Sequence, residues 1–178
     1  LRNREWIEGI FDELVEQIKE VLPDYGKSLA IDSKAIQSYG KPNSKEDRDG
    51  RREKDADWGK KVNRGEREDG SVWEKITKWF GYKVHIMADS VYELPIAYEV
   101  SRASKSDQKM LRPLIEKTDH RHADLLKRAE ELTGDRGYDD EDHHRLLWDE
   151  YGIKPLIDIR NMWRDGETTR LLYPERAD

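Results

Sequence analysis

The stretch LTGDRGYDDEDHH, Leu132 to His144, decides how the rest of the chain is read. With Glu131 before it, "ELTGD" predicts a short strand that reaches Asp135 and then turns at Gly137. An acidic cluster follows, and "DDEDHHRLLWDEYG" predicts a helix closed by Gly152, because glycine accepts the left-handed backbone of a helix C-terminus. Asp135 therefore stands at a strand end. Either it is a solvated turn residue, or it is a carboxylate held there to bind a cation.

A second stretch repeats that setting. In "KSLAIDSKAI" the apolar run Leu29–Ile31 meets Asp32. Carboxylates at strand ends project over one edge of a sheet, where open α/β sheets build their sites. Two of them meeting there suit a hard cation such as Mg²⁺, which takes oxygen ligands. Caps and turns account for the same spacing, so both readings stand at this level.

The other ionisable clusters have simpler explanations. Asp139, Asp140, Glu141 and Asp142 open the predicted helix, where the helix dipole favours negative charge and Asp139 or Asp140 serves as cap. His143 and His144 are adjacent, hence about 100° apart on a helix. His120 and His122 are likewise split, and His85 alternates with Val84 and Ile86 as a packed strand residue. There is no cysteine, and no third ligand type accompanies these histidines, so zinc has little to hold it. Glycine-rich phosphate loops, a GxSxG elbow and an HExxH helix are all absent from the sequence.

Outward from these motifs, "REWIEGIFDELVEQIKEVL" places Trp6, Ile7, Ile10, Phe11, Leu14, Val15, Ile18, Val21 and Leu22 at helical spacing, with Pro23 ending the run. "KWFGYKVHIMAD" alternates as a strand, and "LPIAYEVSRA" supplies its hairpin partner. "SDQKMLRPLIEK", capped by Ser104 or Ser106, and "HADLLKRAEEL" predict two helices, and "IKPLIDI" a last strand. Between Lys41 and Gly70, ten Lys/Arg and nine Asp/Glu fill nineteen of thirty positions, and only Ala56, Trp58 and Val62 are apolar. Such a segment buries too little to offset its ordering entropy, which predicts a mobile loop with a docked patch, if any, at Trp58. The pattern as a whole is α/β with a mixed sheet.

Composition sets the outer bounds. The 178 residues suffice for one domain, 40% of them are charged, and the formal net charge is −6. That balance argues against a stand-alone nucleic-acid binder, since phosphate contacts need Lys and Arg. No apolar run is long enough to span a membrane and no signal pattern opens the chain, so a cytoplasmic protein is expected. A start at Leu1 and a stop at "YPERAD" read as a fragment of something longer.

"AIDSKAI", "DADWGKK", "FGYKVHIMAD", "LPIAYEVSRASKSDQKMLRPLIEK" and "GDRGYDD" occur in an order that resembles DDE-type insertion-sequence transposases, from about Ser28 to Arg160. The resemblance implies an RNase H-like α/β fold: a mixed sheet flanked by helices, preceded here by an amphipathic helix. It divides the chain into a helix over 1–25, a catalytic core over 26–160 that contains the 41–70 loop, and the start of an insertion over 161–178. It implies Asp32 and Asp135 as catalytic metal ligands, Mg²⁺ or Mn²⁺ as cofactor, two-metal phosphoryl transfer as mechanism and double-stranded DNA as partner. A homo-oligomer is compatible with it for the full-length protein. The family's third acid, a glutamate on a later helix, has no match: Glu167 lies in the turn signal "RDGETT" and Glu175 beside Pro174, so it is expected beyond residue 178. The rival expectations are an inactive remnant that serves as a binding module, and a metal-dependent nuclease without strand transfer.

Overall fold

The computed structural model describes residues 3–40 and 55–159. Its elements are helix α1 (Arg4–Val21), strands β1 (Ser28–Gln37), β2 (Asp57–Glu66), β3 (Val72–Asp89) and β4 (Pro95–Arg102), helix α2 (Leu111–Arg128), strand β5 (Glu131–Gly134), helix α3 (Glu141–Arg145) and strand β6 (Lys154–Ile157). The six strands form one sheet in the order β2-β3-β1-β5-β6, with β4 pairing β3. β2 runs antiparallel to β3, whereas β1, β5 and β6 are parallel. This is the expected mixed, helix-flanked, RNase H-like arrangement. No described helix is long and apolar enough to cross a membrane.

The chain divides into two compact units. The first holds the described residues up to Asp32, Ile86–Glu99 and those from Asp107 onward. Its core joins Leu29 and Ile31 of β1, Met87 of β3, Leu132 of β5 and Ile157 of β6 to Leu111, Leu114, Ile115, Leu125 and Leu126 of α2. The second holds Ser33–His85 and Val100–Ser106. There His85 is fully buried and its Nε2 lies 2.9 Å from Ser101 Oγ, the packed role its alternation predicts.

In the first unit α1 is fastened by charge as much as by apolar contact. Val15 is buried and Phe11, Ile18 and Leu22 pack on the core, but Trp6, Ile7, Ile10, Leu14 and Val21 are exposed. The wide apolar stripe read from sequence is therefore two faces, of which one packs. Between α1 and α2 sits Glu8, reached by Arg4 at 3.1 Å, Lys117 at 3.3 Å and Arg121 at 2.9 Å. Burial pushes its carboxyl up, yet the hydrogen bonds from Arg4 and Lys117 outweigh that and hold it below the ordinary range. The two helices expected between Ser106 and Leu132 are the two halves of α2, separated at His122, whose backbone is not helical (φ −141°, ψ 52°) and whose Nδ1 lies 2.8 Å from Glu16 of α1. No serine caps it; a turn at Gln108–Met110 leads in from Asp107.

The largest departure lies in the charged stretch 41–70. Residues 41–54 are outside the described residues, but Asp57–Glu66, expected to be irregular, is a full strand. Every one of its ten residues pairs with 72–81 of β3. Little of its sequence is apolar because its stability comes from the partner strand. Trp79 lies over Gly59 and Trp73 over Gly65, each filling space that a Cβ on the glycine would occupy.

Two predictions come from the first unit. Asp89, 1% exposed, accepts backbone N–H bonds from Gly26 at 2.7 Å, Val91 at 2.9 Å and Tyr92 at 2.8 Å. Asp89→Ala strands these donors and should cost about 3 kcal/mol in urea unfolding. Tyr25 is fully buried and donates to Pro95 O at 2.7 Å. Burial, then the charge of Asp89, pushes its phenol above the ordinary value. The folded state thus favours the neutral phenol: its stability is intact below pH of about 10 and is lost as pH rises beyond. Alkaline denaturation should show that loss, and Tyr25→Phe should blunt it.

Candidate active site where two strands end beside a third

Parallel pairing sets the geometry. Ile31 of β1 pairs with Gly134 of β5, and Gly134 pairs with Ile157 of β6. Residues paired across a parallel sheet share a face, with strands roughly 4.8 Å apart. A Cβ on Gly134 would stand 3.0 Å from Ile31 Cγ2 and 3.5 Å from Ile157 Cγ1. The missing side chain is what lets two β-branched residues flank this position.

One step further along, the same register aligns Asp32, Asp135 and Asp158. The structure thus brings the two expected aspartates to the same level of the sheet, and both are exposed. Their settings differ from the expectation in one respect. Asp135 follows the end of β5 with extended backbone (φ −74°, ψ 169°), but Asp32 is the fifth of ten residues in β1, which runs on to Gln37. Its apolar run ends at Ile31 because its partner β5 ends there, not because the strand does.

Asp135 is also a cap. Its Oδ1 accepts from Gly137 N at 2.8 Å and starts the short turn Arg136–Tyr138. Its Oδ2 accepts no hydrogen bond among the described residues. A Cβ on Gly137 would lie 2.6 Å from Oδ1, so this glycine is what permits the carboxylate its position. The turn reading accounts for one oxygen, and the ligand reading is compatible with the other.

The sequence reading does not single out Asp158, although a signal for it exists. "LAID", "LTGD" and "PLID" each set an aspartate directly after a short strand-like run, and the third belongs with the other two. The Asp158 Oδ2 lies 3.6 Å from Arg136 Nε. Among the described residues no group of three His, Cys, Asp or Glu side chains is placed to hold a metal ion together. The acidic cluster behind the site behaves as the dipole argument predicts: Asp140 accepts from Asp142 N at 3.0 Å and caps α3, and Asp139 lies 3.1 Å from His144 Nε2. Glu167 and Glu175 lie outside the described residues.

Two exposed carboxylates in register, one with an uncommitted oxygen, are a hard, oxygen-only donor set, which fits a cation of the Mg²⁺ class rather than zinc. A family model described as a transposase DDE domain matches residues 27–176 of the chain. No curated protein and no solved structure matches it.

The cap can be tested apart from any metal. Gly137→Ala should cost about 1 kcal/mol by forcing Asp135 off the Gly137 amide. In an Asp135→Ala background the same change should cost almost nothing, a non-additivity that urea unfolding of the four variants measures.

Proposed function

The chain belongs to the DDE transposase family, and from that premise we propose that Asp32 and Asp135 are two of its catalytic carboxylates, holding Mg²⁺ or Mn²⁺ for cleavage and strand transfer of double-stranded DNA in the cytoplasm. One observation carries the reading: the register that pairs Ile31 with Gly134 puts the two aspartates at the same step on adjacent parallel strands. Asp135 would offer Oδ2 while its Oδ1 stays fixed by the Gly137 amide. Asp32 would offer its carboxylate from a strand that continues past it, and so from a backbone held on both sides. A bound divalent cation supplies Lewis-acid polarisation of a phosphate and activation of a water or 3′-OH nucleophile. The protein's share would be to set two negative charges at one level of adjacent strands, an arrangement that a bound cation would relieve.

The test is thermal unfolding with and without Mn²⁺. At ten times its dissociation constant the metal should stabilise the original chain by about 1.4 kcal/mol. Asp135→Asn should lose most of that increment. Because asparagine still offers an oxygen to the Gly137 amide and removes one negative charge, the metal-free fold should be unchanged or slightly firmer. Equal increments in both proteins would reduce Asp135 to a turn residue and remove the support for this site. If the increments differ, DNA bearing transposon ends, assayed with the full-length protein, should yield joined strands; hydrolysis alone would indicate a nuclease.

A further inference from the structure

The ribbon formed by β2 and residues 72–81 carries a charge arrangement that the site does not explain. Lys60 and Lys78 are direct cross-strand partners, and both are exposed. Like charges placed directly opposite destabilise a strand pair. Neither lysine has an acidic partner among the described residues, although the nearby cross-strand pair Arg64–Glu74 is joined at 2.7 Å. On the same face the lysines are bracketed by Trp58 and Phe80 on one side and Val62 and Ile76 on the other, with Trp58, Val62 and Ile76 exposed. On the opposite face Lys61 faces Thr77 and Lys75 faces Asn63, which sets two more exposed lysines on a diagonal.

The ribbon is built to keep these cations in place. Trp79 over Gly59 and Trp73 over Gly65 brace it at two levels on the second face. Its far end is closed by Arg67 N to Ser71 O and Gly70 N to Arg67 O, both at 2.9 Å. Its near end is fixed by Asp57, which accepts from Ser104 N at 2.8 Å, and by the Asp55–Arg102 ion pair at 3.0 Å. A two-stranded arm with opposed lysines is more stable when an anion lies between them.

We propose that the β2–β3 ribbon is a duplex-DNA contact arm in which Lys60 and Lys78 bind backbone phosphates. The choice of DNA as the polyanion rests on the transposase reading; the need for an anion rests on the lysine pair alone. A second copy of this chain is the poorer occupant, because in its acidic run Asp139–Asp142 three carboxylates are already engaged, Asp139 by His144, Asp140 by the Asp142 amide and Glu141 by Arg145. Duplex DNA presents one phosphate charge per about 1.7 Å of axis, a spacing dense enough to meet lysines on both faces of one ribbon.

The experiment measures duplex binding by fluorescence anisotropy across a series of salt concentrations. It compares the original chain, Lys60→Gln/Lys78→Gln, and a control with the same charge change at exposed positions outside the ribbon, Lys127→Gln/Lys154→Gln. Each phosphate neutralised by a lysine adds about 0.9 to the steepness of log affinity against log salt. The slope of the ribbon variant should therefore be shallower by about 2, and that of the control almost unchanged. Thermal unfolding of the ribbon variant should be no lower than the original, since a repulsion has been removed. The same slope in both variants, or no duplex binding by the original chain, overturns the proposal. The Mn²⁺ increment reads the aspartate pair separately. If that increment is absent while the ribbon slope falls, the metal reading fails and the arm stands; if it is present while the slope is unchanged, the arm fails and the metal reading stands.

Discussion

The side chain that Gly134 lacks governs the site. Ile31 and Ile157 are its register partners on either side, and a Cβ between them would come within 3.0 Å of the first. A larger residue would force β1 or β6 outward or shift a strand by one residue, and a one-residue slip in a sheet turns every side chain to the other face. The alignment of Asp32 with Asp135 depends on that register, and so does the position of Asp158 beside them. Asp158 shares that register with a different partner: its carboxylate lies 3.6 Å from the Arg136 guanidinium, while one oxygen of Asp135 is held by the Gly137 amide.

The scaffold behind this edge is held by two buried carboxylates whose partners are supplied. Asp89 gathers three backbone amides at the β3–β4 turn, and Glu8 gathers three cations between α1 and α2. Lys117 has two further partners, lying 4.7 Å from the centre of the Tyr98 ring and 3.1 Å from Glu99. These charges hold α1 to α2 chiefly through Glu8: without its cations that carboxylate would be desolvated and unpaired, whereas Lys117 keeps Glu99 and Arg121 keeps Asp12. They also explain how a chain that is 40% charged still closes a core.

What is legible in the sequence follows from which interactions are local. "LAI" before Asp32 announces a buried strand by composition, "LTG" before Asp135 offers only Leu132 to bury, and the cap at Asp140 is a one-turn signal. β2 is not legible, because its glycines and lysines carry no hydrophobic alternation and its packing comes from tryptophans on the partner strand. Propensity fails there for a stated reason: cross-strand partners, not the strand itself, supply the buried surface. α1 departs in the opposite direction. Its spacing identifies a helix correctly, but spacing does not say which of two apolar faces meets the core, and Trp6, Ile10 and Leu14 do not.

An acidic chain that acts on DNA must also keep its own carboxylates from repelling the substrate. On the proposed reading the charges divide the work. Aspartates on β1 and just past β5 carry negative charge toward a phosphate, and a divalent cation bound there would offset that charge. The ribbon lysines need no metal to attract phosphate, so they supply affinity in its absence. Metal and DNA should then favour each other's binding, because each lowers the electrostatic cost of the other at the aspartates, and the coupling must be equal in both directions. The lysines stand outside that coupling. Their contribution is screened by salt and does not depend on a divalent cation. Salt therefore acts on the arm and metal on the aspartate edge, which is what allows the two to be distinguished in a single protein.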